Sequence, residues 1–147
     1  MLPIYEQEQP ASCVAACVRM ALESQKHRLT EEEIRRRCKQ SSVGLSLVDA
    51  TKGFSDLPVT ATVYNNWGLD DLRDEIRQSN YPIVGIDLRP IDGRFAYHAV
   101  VVVKIESNKV IVHDPEPEPK VREFNLATFM AAWKGASQQV LMILPKK

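Results

Sequence analysis

The sequence predicts an α+β fold, with helices in its first half and an antiparallel sheet in its second. Three observations lead there. Apolar residues recur at helical spacing from Cys13 to Ser24 and again after Thr30. Runs rich in Val and Ile fill the second half. Helices precede strands instead of alternating with them as βα units.

Taken in order, the first residues read as an extended lead-in that turns at Pro10. Ser12 is placed to cap a first helix, so Cys13 falls in its first turn. Thr30 and Glu33 form a capping-box signature, with Ile34 and Cys38 following on one face. A third helix is expected over 45–54, a strand over 59–64, and a fourth helix capped by Asp70 with Leu72 and Ile76 inward. Strands are predicted at 82–88, 97–105, 109–113 and 140–144, with 106–108 as a hairpin loop and a short helix over 129–133. Glu116-Pro117-Glu118-Pro119 reads as an extended surface loop.

The 147 residues fit one domain, 1–147, able to bury a core without disulfide or metal staples. Nineteen basic and nineteen acidic residues balance, which argues against nucleic acid or an anionic membrane as main partner. No apolar run is long enough to span a membrane, and the first residues lack a signal-peptide pattern, so a cytoplasmic location is expected. Three cysteines favour thiol chemistry or plain burial over a disulfide framework.

Cys13 is the candidate nucleophile. A helix N-terminus and a nearby imidazolium both favour a thiolate. The plain alternative is a small buried hydrophobe. His98 opens a strand with four consecutive valines, Val100 to Val103, where a titratable group is conspicuous. Asp114 ends the next strand, stopped by Pro115. A three-residue loop would pair Ile105 with Lys109 and set Val100 opposite Asp114, so that His98 and Asp114 share a face. A two-residue loop would separate them. His113 competes as base but points to the other face in a regular strand. A metal site built from Cys13, Cys17, Cys38 and a histidine ranks below these readings, because its spacings are wider than zinc knuckles. No metal or other cofactor is expected.

Together these segments resemble the bacteriocin-processing leader peptidases, papain-like cysteine peptidase domains often fused to peptide-exporting ABC transporters. Gln7 lies six positions before Cys13, and 13–20 follow with small residues, Cys17 and Met20. A proline-led strand at 81–86 precedes His98-Ala99-Val100-Val101, and Asp114-Pro115 follows the next strand. Phe129, Trp133, Lys134 and Gly135 resemble the family's tail, and Gly44-Leu45-Ser46-Leu47 another family segment. The resemblance implies a papain-like fold and a Cys13–His98–Asp114 triad, with Gln7 as oxyanion donor and Gln9 as its fallback. It implies a peptide or protein substrate. Ser12 and Val14 stand where the family has Asp and Gly, and Ala99 where it has an aromatic residue. With Tyr97, these are the expected substrate-binding positions. A thiol acyltransferase on the same site, or a degenerate peptide-binding module, are the alternative readings.

Overall fold

The computed structural model describes residues 2–118 and 120–147. Three helices come first: α1 (Cys13–Ser24), α2 (Glu31–Arg37) and the short α3 (Leu47–Ala50). Strand β1 (Val59–Tyr64) and helix α4 (Leu69–Arg77) follow, then β2 (Ile83–Asp87), the single-turn α5 (Arg89–Asp92), β3 (Tyr97–Ile105) and β4 (Lys109–His113). The chain closes with β5 (Val121–Asn125), α6 (Leu126–Lys134) and β6 (Val140–Pro145). The six strands form one antiparallel sheet in the order β1-β6-β2-β3-β4-β5.

Both faces of this sheet are covered. Side chains alternate along a strand, so one face collects Ile83, Ala99, Val101, Leu141 and Ile143 under α1–α3. The other collects Val84, Ile86, Val100, Val102, Val140 and Met142. That second face packs on Leu72 of α4 and on Phe129, Ala132 and Trp133 of α6. The valine run 100–103 is explained by this double coverage. The expected arrangement, N-terminal helices on a C-terminal sheet, accounts for one face only. β1, the strand expected at 59–64, forms one edge of the sheet.

Several local expectations need correction. Ser12 occupies the N-cap position of α1 but makes no side-chain cap; its Oγ donates to the Gln9 carbonyl and accepts from the Gln9 N–H, both at 3.0 Å. The third helix is only Leu47–Ala50, capped by Ser46, whose hydroxyl accepts from Asp49 N–H. α4 starts one residue before Asp70, with Gly68 at the cap and its N–H donated to Asp71 Oδ2 at 2.8 Å. Thr30 caps α2 as expected, accepting from Glu33 N–H at 3.1 Å. α5 and β5 were not anticipated. The expected loop at Glu116-Pro117-Glu118-Pro119 is irregular chain up to Glu118, and Pro119 lies outside the described residues.

The β3–β4 hairpin carries the correction that matters most for the site. Ile105 pairs with Val110, not Lys109, so the loop is one residue longer than expected. A bulge between Val102 and Lys104 then restores the register, and Val101 lies opposite His113. The strand therefore delivers Val100 toward Asp114 despite the different loop. Among the described residues, no helix is long and apolar enough to cross a membrane.

Candidate active site

Cys13 is the first residue of α1, and the rest of that helix is pinned in the core by Ala15, Cys17, Val18 and Met20. The helix packs on β3, whose second residue is His98. Cys13 is partly exposed, whereas His98 and Asp114 are buried. His98 Nε2 lies 2.7 Å from Asp114 Oδ1. Cys13 lines the same cleft as His98 and acts on the ring's protonation. An ionised carboxylate can only accept, so Nε2 carries a hydrogen and Nδ1 is the ring's second polar atom. Burial works against charge on the imidazole, but Asp114 and Cys13 outweigh it and raise its pKa to about 9.

Asp114 is well satisfied for a fully buried acid. Oδ1 also accepts the Glu116 N–H at 2.9 Å, and Oδ2 accepts from Arg122 Nη1 at 3.1 Å. Burial alone would raise its pKa; the bonds from His98, Glu116 and Arg122 reverse this and hold it below the ordinary carboxylate range. Arg122 comes from the edge strand β5, opposite Val112. No feature of the sequence marked it, because Val121-Arg122-Glu123-Phe124 reads as mixed surface.

The lead-in wraps against the same loop. Gln7 N–H donates to the Pro115 carbonyl at 2.7 Å. Its side-chain Nε2 donates to the carbonyls of Gln9 and Pro10, at 2.8 and 2.9 Å. Its Oε1 is buried and has no hydrogen-bond partner among the described residues. Gln9 is exposed and does not line the cleft around Cys13. His113 points away from the pair. Its Nδ1 donates to the Pro3 carbonyl at 3.0 Å, which anchors the lead-in, and burial lowers its pKa. Beneath the turn, Glu31 is buried and accepts Glu8 N–H with both oxygens and Arg35 Nη1 at 2.7 Å.

A cleft of about 680 Å³ opens over these groups, with Gln7, Cys13 and His98 in its wall. Of the expected substrate-binding residues, Val14, Tyr97 and Ala99 line it. Tyr97 is 70% exposed on the rim, and Ala99 pairs across the strands with Gly85 to make a floor of small residues. Ser12 does not reach the cleft: it is buried and holds the turn through Gln9.

The other two cysteines are chemically quieter. Burial pushes the Cys17 thiol well up and the Cys38 thiol to about 11. Among the described residues, the three cysteines form no shared metal-ligand group. The one grouping of suitable atoms is His98, Asp114 and Glu116, within 4.8 Å of one another, and hydrogen bonds from His98 and Glu116 to Asp114 account for its closeness.

Solved structures share this architecture. The peptidase domain of Streptococcus ComA, a bi-functional ABC transporter involved in quorum sensing, superposes with a TM-score of 0.80 at 18% identity, covering 99% of this chain and 100% of that one. A double glycine motif protease from an AMS/PCAT transporter, in complex with the leader peptide, gives 0.75 at 18% identity over 99% and 93%. A putative C39-like peptidase from Bacillus anthracis gives 0.79 at 11% identity over 99% and 96%. No curated protein matches the chain. The description Peptidase C39 family matches residues 1–146, and by that match the chain belongs to the Peptidase C39 family of cysteine peptidases.

Proposed function

We propose that the protein cuts a peptide bond with Cys13 as nucleophile, His98 as acid and base, and Asp114 as the group that orients His98. The observation that carries this is the arrangement around one cleft: a carboxylate 2.7 Å from Nε2 of His98, with Cys13 at a helix start in the same wall. Imidazolium beside a helix-start cysteine favours the reactive thiolate.

Cys13 Sγ attacks the scissile carbonyl carbon and forms a tetrahedral oxyanion. The C–N bond then breaks as His98 gives its Nδ1 proton to the departing amine. The thioester is resolved by water, which loses a proton to His98 as it attacks; an amine in place of water would give acyl transfer. The oxyanion is received by the Cys13 backbone N–H and by Gln7 Nε2. In the free protein, Nε2 donates to Gln9 and Pro10. Substrate entry turns one of these hydrogens toward the oxyanion.

The substrate is a peptide in extended form with small residues over the Gly85–Ala99 floor. The leader-peptide complex among the structural relatives supports a peptide occupant. Free cysteines suit a reducing compartment, the cytoplasm.

The deciding experiment compares wild type, Cys13→Ala and Gln7→Ala on a peptide library that includes double-glycine leaders. Cys13→Ala should abolish cleavage, and Gln7→Ala should lower kcat by about 100-fold or more. Equal processing by wild type and Cys13→Ala would remove the nucleophile. No cleavage by wild type, with peptide still bound, would favour a binding module.

A further inference from the structure

Arg94 and Glu116 stand in the cleft wall beside the catalytic pair, on two different loops. Arg94 lies between α5 and β3, four residues before His98. Glu116 lies two residues after Asp114, between β4 and β5. Arg94 Nη1 and Nη2 grip the Glu116 carboxylate at 2.6 and 3.1 Å. The same guanidinium is steadied by Asp92, at 3.0 Å from Nε and 2.7 Å from Nη2. Glu116 in turn donates its backbone N–H to Asp114 Oδ1, the oxygen that also meets His98.

A closed ring results: His98 to Asp114, Asp114 to Glu116, Glu116 to Arg94, and Arg94 back along four residues to His98. The loop it holds also carries the Pro115 carbonyl that receives Gln7 N–H. We propose that the Arg94–Glu116 bridge is a positioning device that locks the loop bearing Asp114 and the Gln7 anchor onto the strand bearing His98. Both are positioning residues, not catalytic ones. Arg94 reaches two carboxylates with all three of its nitrogens, and both Glu116 oxygens face Arg94. Arg94 thus holds two acids with one charge, and most of its donors are spent within the protein.

The bridge is half exposed, with Arg94 at 47% and Glu116 at 27% of their side-chain surface. Exposed ion pairs contribute little to overall stability, so a purely structural role predicts little of anything on its removal. A positioning role predicts a selective effect on turnover, because small misplacements of reacting groups are costly.

The inference rests on the triad reading, so its test includes a measurement that needs no cleavage. Arg94→Lys, Arg94→Met, Glu116→Gln and the Arg94→Met/Glu116→Gln double variant are compared with wild type in kcat, KM, Tm and the rate of Cys13 alkylation by iodoacetamide at neutral pH. The Met and Gln variants should lose about tenfold in kcat with KM within about twofold. The double variant should be no worse than the poorer single, as expected for one shared interaction. Arg94→Lys keeps the charge without the fork and should fall between. Alkylation should slow in the same order, with Tm nearly unchanged. Unchanged kcat and alkylation would overturn the proposal, as would a change confined to KM or additive losses in the double variant. If wild type cleaves nothing, the triad reading fails, and the alkylation series still decides whether the bridge positions Cys13's partner.

Discussion

His98 keeps a proton at a pH where an ordinary histidine has lost it. Its pKa is raised to about 9, against burial, by Asp114 and by Cys13. Imidazolium therefore persists across neutral pH, and cleavage that needs it should decline only as pH rises through about 9. Asp114→Asn removes the main stabilising charge and should draw that alkaline limb of the kcat/KM profile down toward the ordinary histidine range, with kcat at neutral pH reduced by about 100-fold or more. An alkaline limb unmoved by Asp114→Asn would mean that another group controls it. At this scale the sequence was informative where chemistry and position coincided: a cysteine at a helix start, a histidine opening a valine strand, an aspartate before proline. Arg122 was invisible, because an arginine in an alternating charged segment reads as surface until the edge strand turns it toward a buried acid.

The elements were legible in proportion to how deeply they are buried. β3 and β4 were readable to their termini, since their Val and Ile runs face covered layers on both sides. β5 was not, because as an edge strand it buries Phe124 alone. α5 is a single turn closed by Gly93 at φ 82°, too short for any periodicity. The hairpin loop is one residue longer than the sequence predicts, and the bulge beside Val103 compensates for it. Removing Val103 should leave a regular ladder, with Val101 still opposite His113 and Ile105 opposite Val110. Cleavage should survive this deletion. Inserting one alanine between Val100 and Val101 should turn His98 to the opposite face and abolish activity. Peptide-cleavage assays on the two variants check this; loss in both would show that the bulge itself holds the site.

For the whole molecule, the same ionisations make stability depend on pH. His98 has a folded pKa above its unfolded value, so its contribution is complete below about 6.5 and is lost as pH rises through about 9. Asp114 has the opposite sign: its contribution is present above about 3.9 and is lost as pH falls through its depressed folded value. Through His98, Tm near pH 6.5 should lie about 5 °C above its value at pH 9.5, while His113, whose pKa burial lowers, makes Tm fall again as pH drops below the ordinary histidine range. In Asp114→Asn the alkaline decline should flatten. Thermal melts across pH measure both; an alkaline decline equally steep in wild type and Asp114→Asn would assign it to other groups.

Cys13 belongs to the helices on one side of the sheet, while His98 lies on β3 and Asp114 directly follows β4. On the proposed mechanism neither layer holds all the reacting groups, and Cys13 and His98 come together only across the seam between α1 and β3. Catalysis is thereby a gauge of how tightly that seam is shut. A wedge of a fraction of an ångström beneath α1 would silence the enzyme while every helix and strand stayed folded, so heat or a small apolar ligand should extinguish turnover before any loss of secondary structure is seen.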